Sequence, residues 1–337
     1  MRAARFHEQG RPLEIEEVDR PEPGPGEVLV RVEAAGVCGT ELHFLDGLLR
    51  PARAPIVLGH EVAGRVEETG PEVRDVEPGD RVAVHYFHPC RRCRECRSGR
   101  EHLCERPLGF LAFATDGGFA EHVVVPETAV APIPDGLAAE QVAPLCCSAT
   151  TALHAVRVAG LRAGDRAVVY GCGGVGLALV QVLRHAGIRT LAVSRSPEKL
   201  RLAEELGAEL AIDGSGQVTE AILEATGGRG VQAVFDLVGT RESMPQALGA
   251  LARGGALVFV GYSFDRLEVS PLALVVPEVR ILTSVGNTYL ELVEALDLAA
   301  RGVIRPIVHE TAPLEEVNRV LEDLRSGRVV GRAVLTP

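Results

Sequence analysis

The stretch Arg166–Arg195, RAVVYGCGGVGLALVQVLRHAGIRTLAVSR, decides the fold. It opens on Ala167–Tyr170, a short apolar run with the length and β-branched content of a strand buried on both faces. Gly171-Cys172-Gly173-Gly174-Val175-Gly176 follows, a G-x-G-x-x-G turn with one additional glycine. Leu177, Leu179, Val180, Val182 and Leu183 then recur at helical spacing, Gly187 closes the helix, and Thr190–Val193 reads as a second strand. Glycines at the strand-to-helix turn of a βαβ unit form a dinucleotide-binding pattern. Gly171 permits the tight turn, Gly173 lets the backbone approach a pyrophosphate, and Gly176 lets helix and strand pack closely. The N–H groups at the helix start, Gly174 and Val175, are expected to face the phosphates.

Working outward, Pro197–Leu206 reads as a helix closed by Gly207, with strands at Glu209–Ile212, Val231–Val238, Gly255–Gly261 and Val279–Ser284. Together they predict an α/β, doubly wound, six-stranded Rossmann domain over residues 150–286. Residues 1–149 read as a mostly β barrel domain, with strands at Glu14–Val18, Glu27–Val32, Val62–Glu67, Arg81–His85 and Phe119–Val125 and no helix longer than a few turns before about residue 139. Residues 287–337 read as a helix from Tyr289, a strand near Ile307–Val308, the helix Leu314–Ser326 and a final strand, expected to rejoin the first domain. A catalytic cleft is then expected between the domains.

The 337 residues suffice for two cores, and 46% hydrophobic against 24% charged residues is a globular composition. No apolar run reads as reaching the roughly 18 residues of a membrane span, so no membrane partner and a cytoplasmic location are expected. The net charge of −11 argues against nucleic acid as a partner. Lys199 is the sole lysine among many arginines.

Four of the eight cysteines form Cys90-x2-Cys93-x2-Cys96-x7-Cys104. Four thiols in so short a segment can close an all-cysteine tetrahedral zinc site with no open position, the structural kind. The arginines around them read as a solvated lobe. A second cluster joins Gly36-Val37-Cys38-Gly39-Thr40-Glu41-Leu42-His43 to Gly59-His60-Glu61. Cys and His are donors that zinc prefers. From spacing alone, Cys38 reads equally well as a buried small hydrophobe and His60 as a turn histidine.

The order GVCGTELH, GHE, C-x2-C-x2-C-x7-C and then GxGGVG resembles the zinc-containing medium-chain alcohol dehydrogenase family, over essentially the full chain. The resemblance implies a GroES-like catalytic domain carrying a structural zinc lobe, two zinc ions per chain, and a homodimer or homotetramer. It implies that Cys38 and His60 are catalytic zinc ligands and that the third lies in Ala143–Thr151. There Cys147 fits the family pattern better than Cys146, which is left to packing. Glu61 is implied to lie behind the metal or to exchange with its water, or else to orient other groups. Thr40 and His43 match a proton relay ending at the cofactor ribose, against the plainer readings of a packing threonine and a surface histidine. Thr151, Leu237 and Val260 are implied to border the cofactor. Tyr86 and Phe87 stand near an aromatic pocket wall or in core packing, and His85 and His88 are expected at the surface.

The residues ending the βαβ unit address the cofactor directly. Where an NAD-selective domain places Asp or Glu about twenty residues after the turn, this chain has Ser194 followed by Arg195. Serine removes the carboxylate that would repel a 2′-phosphate, and arginine offers a forked donor for it. Lys199 stands on the adjoining helix. NADP(H) is therefore expected over NAD(H), against the alternative of a plain surface turn. The function expected is hydride transfer between NADP(H) and a small alcohol, aldehyde or ketone. A non-catalytic zinc- and nucleotide-binding protein and a metal-free quinone or enoyl reductase are the alternatives.

Overall fold

Arg166–Tyr170 is an inner strand of a six-stranded parallel sheet in the computed structural model, which describes residues 1–337. The spatial order is Leu210–Asp213, Arg189–Ser194, Arg166–Tyr170, Val231–Asp236, Leu251–Phe259 and Arg280–Thr283. The chain winds outward from Arg166–Tyr170 on one side, then begins again with Val231–Asp236 on the other. This reversal creates the switch point at which open α/β sheets bind ligands. The inner strands are buried because helices cover such sheets on both faces, which explains continuous apolar runs such as Ala167–Val169 and Ala233–Phe235. Local signals set the flanking helices. Ser196 accepts the Lys199 N–H and Pro197 occupies the first turn of Pro197–Leu206, and Gly207 ends it at φ +121°.

One compact unit comprises Thr151–Gly286 with Val303–Arg305, and the other Met1–Thr150, Asn287–Gly302 and Pro306–Pro337. The short piece Val303–Arg305 departs from the expected boundary at 287. Gln181 captures it, donating to the Arg305 carbonyl at 3.1 Å and accepting the Arg305 N–H at 2.8 Å.

The other unit is mostly β. Its largest sheet has seven strands, centred on Glu27–Val37, which pairs with Glu61–Thr69, His122–Pro126 and the final strand Arg332–Thr336. The chain end thus returns to the middle of the first sheet, with Ala333 opposite Val37. Val28, Val30, Val62, Val82, Val84, Phe44 and Phe119 form part of one apolar core.

Two expectations need correction. His85 and His88 are not surface residues: they are 1% and 4% exposed. His85 Nε2 donates to Asn287 Oδ1 at 3.0 Å, a partner that the local sequence does not reveal. In addition, Ala139–Ala159 is a 21-residue helical run apolar enough for a membrane span by length and hydropathy. Its most apolar window is 78% buried within the fold, as a core helix is.

Candidate functional site

Cys38 follows the strand Glu27–Val37 and caps the helix Gly39–Leu45. His60 directly precedes, and Glu61 opens, the strand Glu61–Thr69, which pairs with Glu27–Val37 so that Glu61 stands opposite Gly36. A Cβ on Gly36 would lie 2.1 Å from Glu61 Oε2, so the glycine makes room for that carboxylate. Cys147 comes from the helical segment Leu145–Ala149. The potential donor atoms of Cys38, His60, Glu61 and Cys147 all lie within 4.8 Å of one another. All four residues are buried.

Two residues without an expected role complete the cluster. Glu41 Oε1 lies 2.8 Å from His60 Nδ1, while its Oε2 accepts the Cys38 N–H at 2.9 Å. The carboxylate therefore fixes the imidazole with Nδ1 as donor and leaves Nε2 for the cluster. Arg332, on the final strand, donates from Nε to Glu61 Oε1 at 3.0 Å and from its terminal nitrogen to Cys38 Sγ at 3.2 Å. Glu41 had a local clue, three residues after Cys38 at a helix start. Arg332 had none.

The electrostatics fit a cation. A hydrogen bond from Cys147 holds Cys38 well below the ordinary thiol range, with burial opposing and Arg332 assisting. The same bond, with burial, pushes Cys147 well above that range. Burial would lower His60, but Glu41 and Cys38 outweigh it and hold the imidazole well above its usual value. Burial pushes Glu61 up to about 8, with Arg332 the chief opposing charge. Two sulfurs and two carboxylates thus face one guanidinium and one imidazole in a buried setting. Cys147 and Glu61 are thereby pushed toward their neutral, protonated forms, and a divalent cation would take the place of those protons. Two thiolates and an imidazole are a donor set suited to zinc.

Thr40 Oγ1 lies 3.6 Å from Cys38 Sγ, which puts the hydroxyl at the cluster. His43 is on the same short helix, half-buried, and burial lowers it from its usual value. Tyr86 and Phe87 are buried. The Tyr86 ring meets His60 edge-on at 5.3 Å between centroids, and its hydroxyl accepts from Asn287 Nδ2 at 2.8 Å. Cys146 turns away: its sulfur bonds the Val62 carbonyl at 3.4 Å.

The four lobe cysteines converge as their spacing suggests. Cys93 Sγ is 3.4 Å from Cys96 Sγ and 3.9 Å from Cys104 Sγ, and Cys90 Sγ is 4.0 Å from Cys96 Sγ. Zinc–sulfur bonds of about 2.3 Å in a tetrahedron give sulfur–sulfur edges of roughly 3.8 Å, so the geometry fits. Of the surrounding arginines, Arg100 pairs with Glu95 and Arg91 donates to the Thr128 carbonyl. A third grouping, His7 with Glu14 and Glu16, lies on a partly exposed strand pair where Arg5 already neutralises Glu16.

In the nucleotide unit the glycines of the turn have distinct surroundings. A Cβ on Gly176 would meet the Gly171 carbonyl oxygen at 2.0 Å, so close packing excludes any side chain there. Gly171 has φ +108°, where glycine is favoured. A Cβ on Gly173 would meet nothing within 4 Å, so the backbone is open where a pyrophosphate would approach. Gly174 and Val175 begin the helix Gly174–His185. Leu237 and Val260 follow their strands at the same end of the sheet, where the Asp236 carboxylate holds the loop by accepting from the Val238 and Gly239 N–H groups, each at 2.9 Å. Ser194 ends its strand, Arg195 is exposed, and burial lowers the half-buried Lys199, which lies near the Cys172 thiol. Thr151 is buried on the helix Thr150–Ala159.

The chain matches the family model of the alcohol dehydrogenase GroES-like domain over residues 24–135 and that of zinc-binding dehydrogenases over residues 174–301. It is 40% identical to an alcohol dehydrogenase of Geobacillus stearothermophilus, covering 99% of this chain and 98% of that protein. It is 36% identical to an NAD-dependent alcohol dehydrogenase of Sulfurisphaera tokodaii, over 100% of both chains. The crystal structure of the alcohol dehydrogenase from Aeropyrum pernix superposes with a TM-score of 0.95 at 36% identity, again covering 100% of both chains. Matched end to end by such relatives and in both domains, the chain belongs to the zinc-containing medium-chain alcohol dehydrogenase family.

Proposed function

We propose that this protein is a zinc-dependent oxidoreductase that moves a hydride between NADP(H) and a small alcohol, aldehyde or ketone. The observation carrying this reading is the buried convergence of Cys38, His60 and Cys147, with His60 Nδ1 committed to Glu41. Those three side chains would hold one zinc ion, and Cys90, Cys93, Cys96 and Cys104 a second, structural one. When bound, the first zinc supplies Lewis acidity to the substrate oxygen, and the nicotinamide supplies or accepts the hydride.

The chain's own groups do the rest. Glu61, held by Arg332, would temper the charge beside a bound metal or serve as an exchanging ligand to it. Thr40 Oγ1 would pass the substrate proton on, and His43 would receive it at a ring nitrogen. Burial keeps His43 neutral at pH 7, the form able to accept a proton. Gly171, Gly173, Gly174, Val175 and Gly176 cradle the pyrophosphate. Thr151, Leu237 and Val260 would border the cofactor, and Ser194, Arg195 and Lys199 would take the adenosine ribose and its 2′-phosphate.

The protein would act in the cytoplasm as a homodimer or homotetramer. In support, the outer strand Arg280–Thr283 leaves one sheet edge unpaired, and Leu272, Val275, Val276 and Val285 nearby in sequence are exposed. Steady-state assays of primary and secondary alcohols and their carbonyls, with each cofactor, test the reading. Turnover with higher kcat/KM for NADP(H), abolished by Cys38→Ala, is expected. Full turnover by Cys38→Ala would refute the zinc mechanism and favour a metal-free reductase.

A further inference from the structure

Two adjacent cysteines, Cys146 and Cys147, have opposite fates, and the backbone between them supplies a cause. The helical run Ala139–Ala159 leaves α geometry over Leu145–Ala149, which is a π-helical turn. There the Thr150 N–H reaches back five residues to the Leu145 carbonyl. In an α-helix that N–H would bond the Cys146 carbonyl. Here the Cys146 carbonyl accepts the Thr150 side chain instead, Oγ1 to O at 3.1 Å, and the same hydroxyl lies 2.9 Å from the Cys147 carbonyl. The Ser148 hydroxyl likewise donates to the Pro144 carbonyl at 2.6 Å. Both hydroxyls are buried.

A residue added to one helical turn shifts the phase of the side chains that follow by about 100°. Cys146 points into the core, its sulfur bonding the Val62 and Val142 carbonyls at 3.4 and 3.6 Å. Cys147 points to Cys38, His60 and Glu61. We infer that the π-turn Leu145–Ala149, locked by the Thr150 and Ser148 hydroxyls, selects Cys147 over Cys146 for the metal cluster. Thr150 is then a positioning residue that acts through the backbone of Cys147. The inference rests on the reading of Cys147 as a metal ligand.

Cobalt(II) loading of the metal-free protein provides the test. Thiolate-to-cobalt absorption reports the sulfurs on the metal, and chelator competition reports affinity. Cys38→Ala, loaded at the lobe alone, supplies the difference baseline. Thr150→Val keeps the side-chain shape and removes the hydroxyl, whereas Thr150→Ser keeps the hydroxyl. Thr150→Val is expected to lose about 10- to 100-fold in cobalt affinity at this cluster, with weaker thiolate absorption, and Thr150→Ser to restore both.

Wild-type affinity and absorption in Thr150→Val would overturn the inference, as would a deficit that Thr150→Ser leaves unrepaired. Should Thr150→Val fail to fold, judged by loss of lobe cobalt and of circular dichroism, Ser148→Ala takes its place. Weakened cobalt affinity at the cluster in Ser148→Ala then supports the inference, and wild-type affinity there overturns it. Loss of cluster absorption in Cys147→Ala with an unaffected Thr150→Val removes the positioning role alone. Retention of that absorption in Cys147→Ala, with its loss in Cys146→Ala, removes the ligand reading and the inference with it.

Discussion

Arg332 Nε lies 3.0 Å from Glu61 Oε1, across 271 residues of sequence, and both side chains are buried. The pairing register puts Gly36 opposite Glu61 in one neighbouring strand and opposite Val334 in the other, so the final strand carries its arginine to the cluster. Arg332→Met should leave the Glu61 carboxylate and the Cys38 sulfur without their cation. Breaking a buried pair from one side costs about 3–5 kcal/mol. Urea unfolding of the metal-loaded protein is expected to show a loss of that order, and a loss below about 1 kcal/mol would contradict the importance of the pair.

Glu41 orients His60 from outside the donor set, so its substitution should act on the metal more than on the fold. In Glu41→Gln the neutral amide is expected to weaken zinc binding at the Cys38 cluster by about 10- to 100-fold. Zinc in the Cys90–Cys104 lobe should be unaffected. Chelator competition followed by metal analysis separates the two; equal loss from both sites would point to general unfolding.

The proposed preference for NADP(H) rests on the residues at the end of the strand Arg189–Ser194. Ser194→Asp combined with Arg195→Ala introduces a carboxylate suited to a free ribose and removes the forked donor. The ratio of kcat/KM for NADP(H) over NAD(H) should fall by about 10- to 100-fold, the worth of one charge-assisted hydrogen bond or somewhat more. An unchanged ratio would show that the 2′-phosphate is held elsewhere.

His85 should make stability pH-dependent. Burial lowers it from 6.5, with Glu101 and Asn287 only partly opposing. The unfolded chain then takes up the proton more readily than the folded one. The stabilisation is complete above pH 6.5 and is lost as pH falls below it toward the folded value. His85→Gln, which weakens the hydrogen bond to Asn287, should be less stable by about 1–2 kcal/mol at pH 7.5. That gap should narrow by pH 5.5, because only the wild type carries this proton-linked loss. Parallel unfolding curves across that range would contradict the assignment.

The readable parts of this chain were those whose physics is local. The Gly171–Gly176 turn and the Cys90–Cys104 lobe each lie within a short segment, so spacing alone carried their geometry. The doubly wound sheet followed from apolar runs separated by helices. Arg332 was hidden because only strand pairing places it beside Cys38. The burial of His85 was hidden because its partner Asn287 is 202 residues away, and His88 is buried with its Nε2 unpartnered, which no local pattern announces. Thr150 shows the opposite limit: it adjoins the expected ligand segment, but a π-turn has no sequence signature comparable to a glycine turn.

Zinc stoichiometry in the purified, active protein tests the central reading most directly. Two zinc ions per chain are expected, falling to one in Cys38→Ala together with loss of NADP(H)-linked turnover, while the lobe keeps its ion. Full turnover with one zinc or none per chain would contradict it.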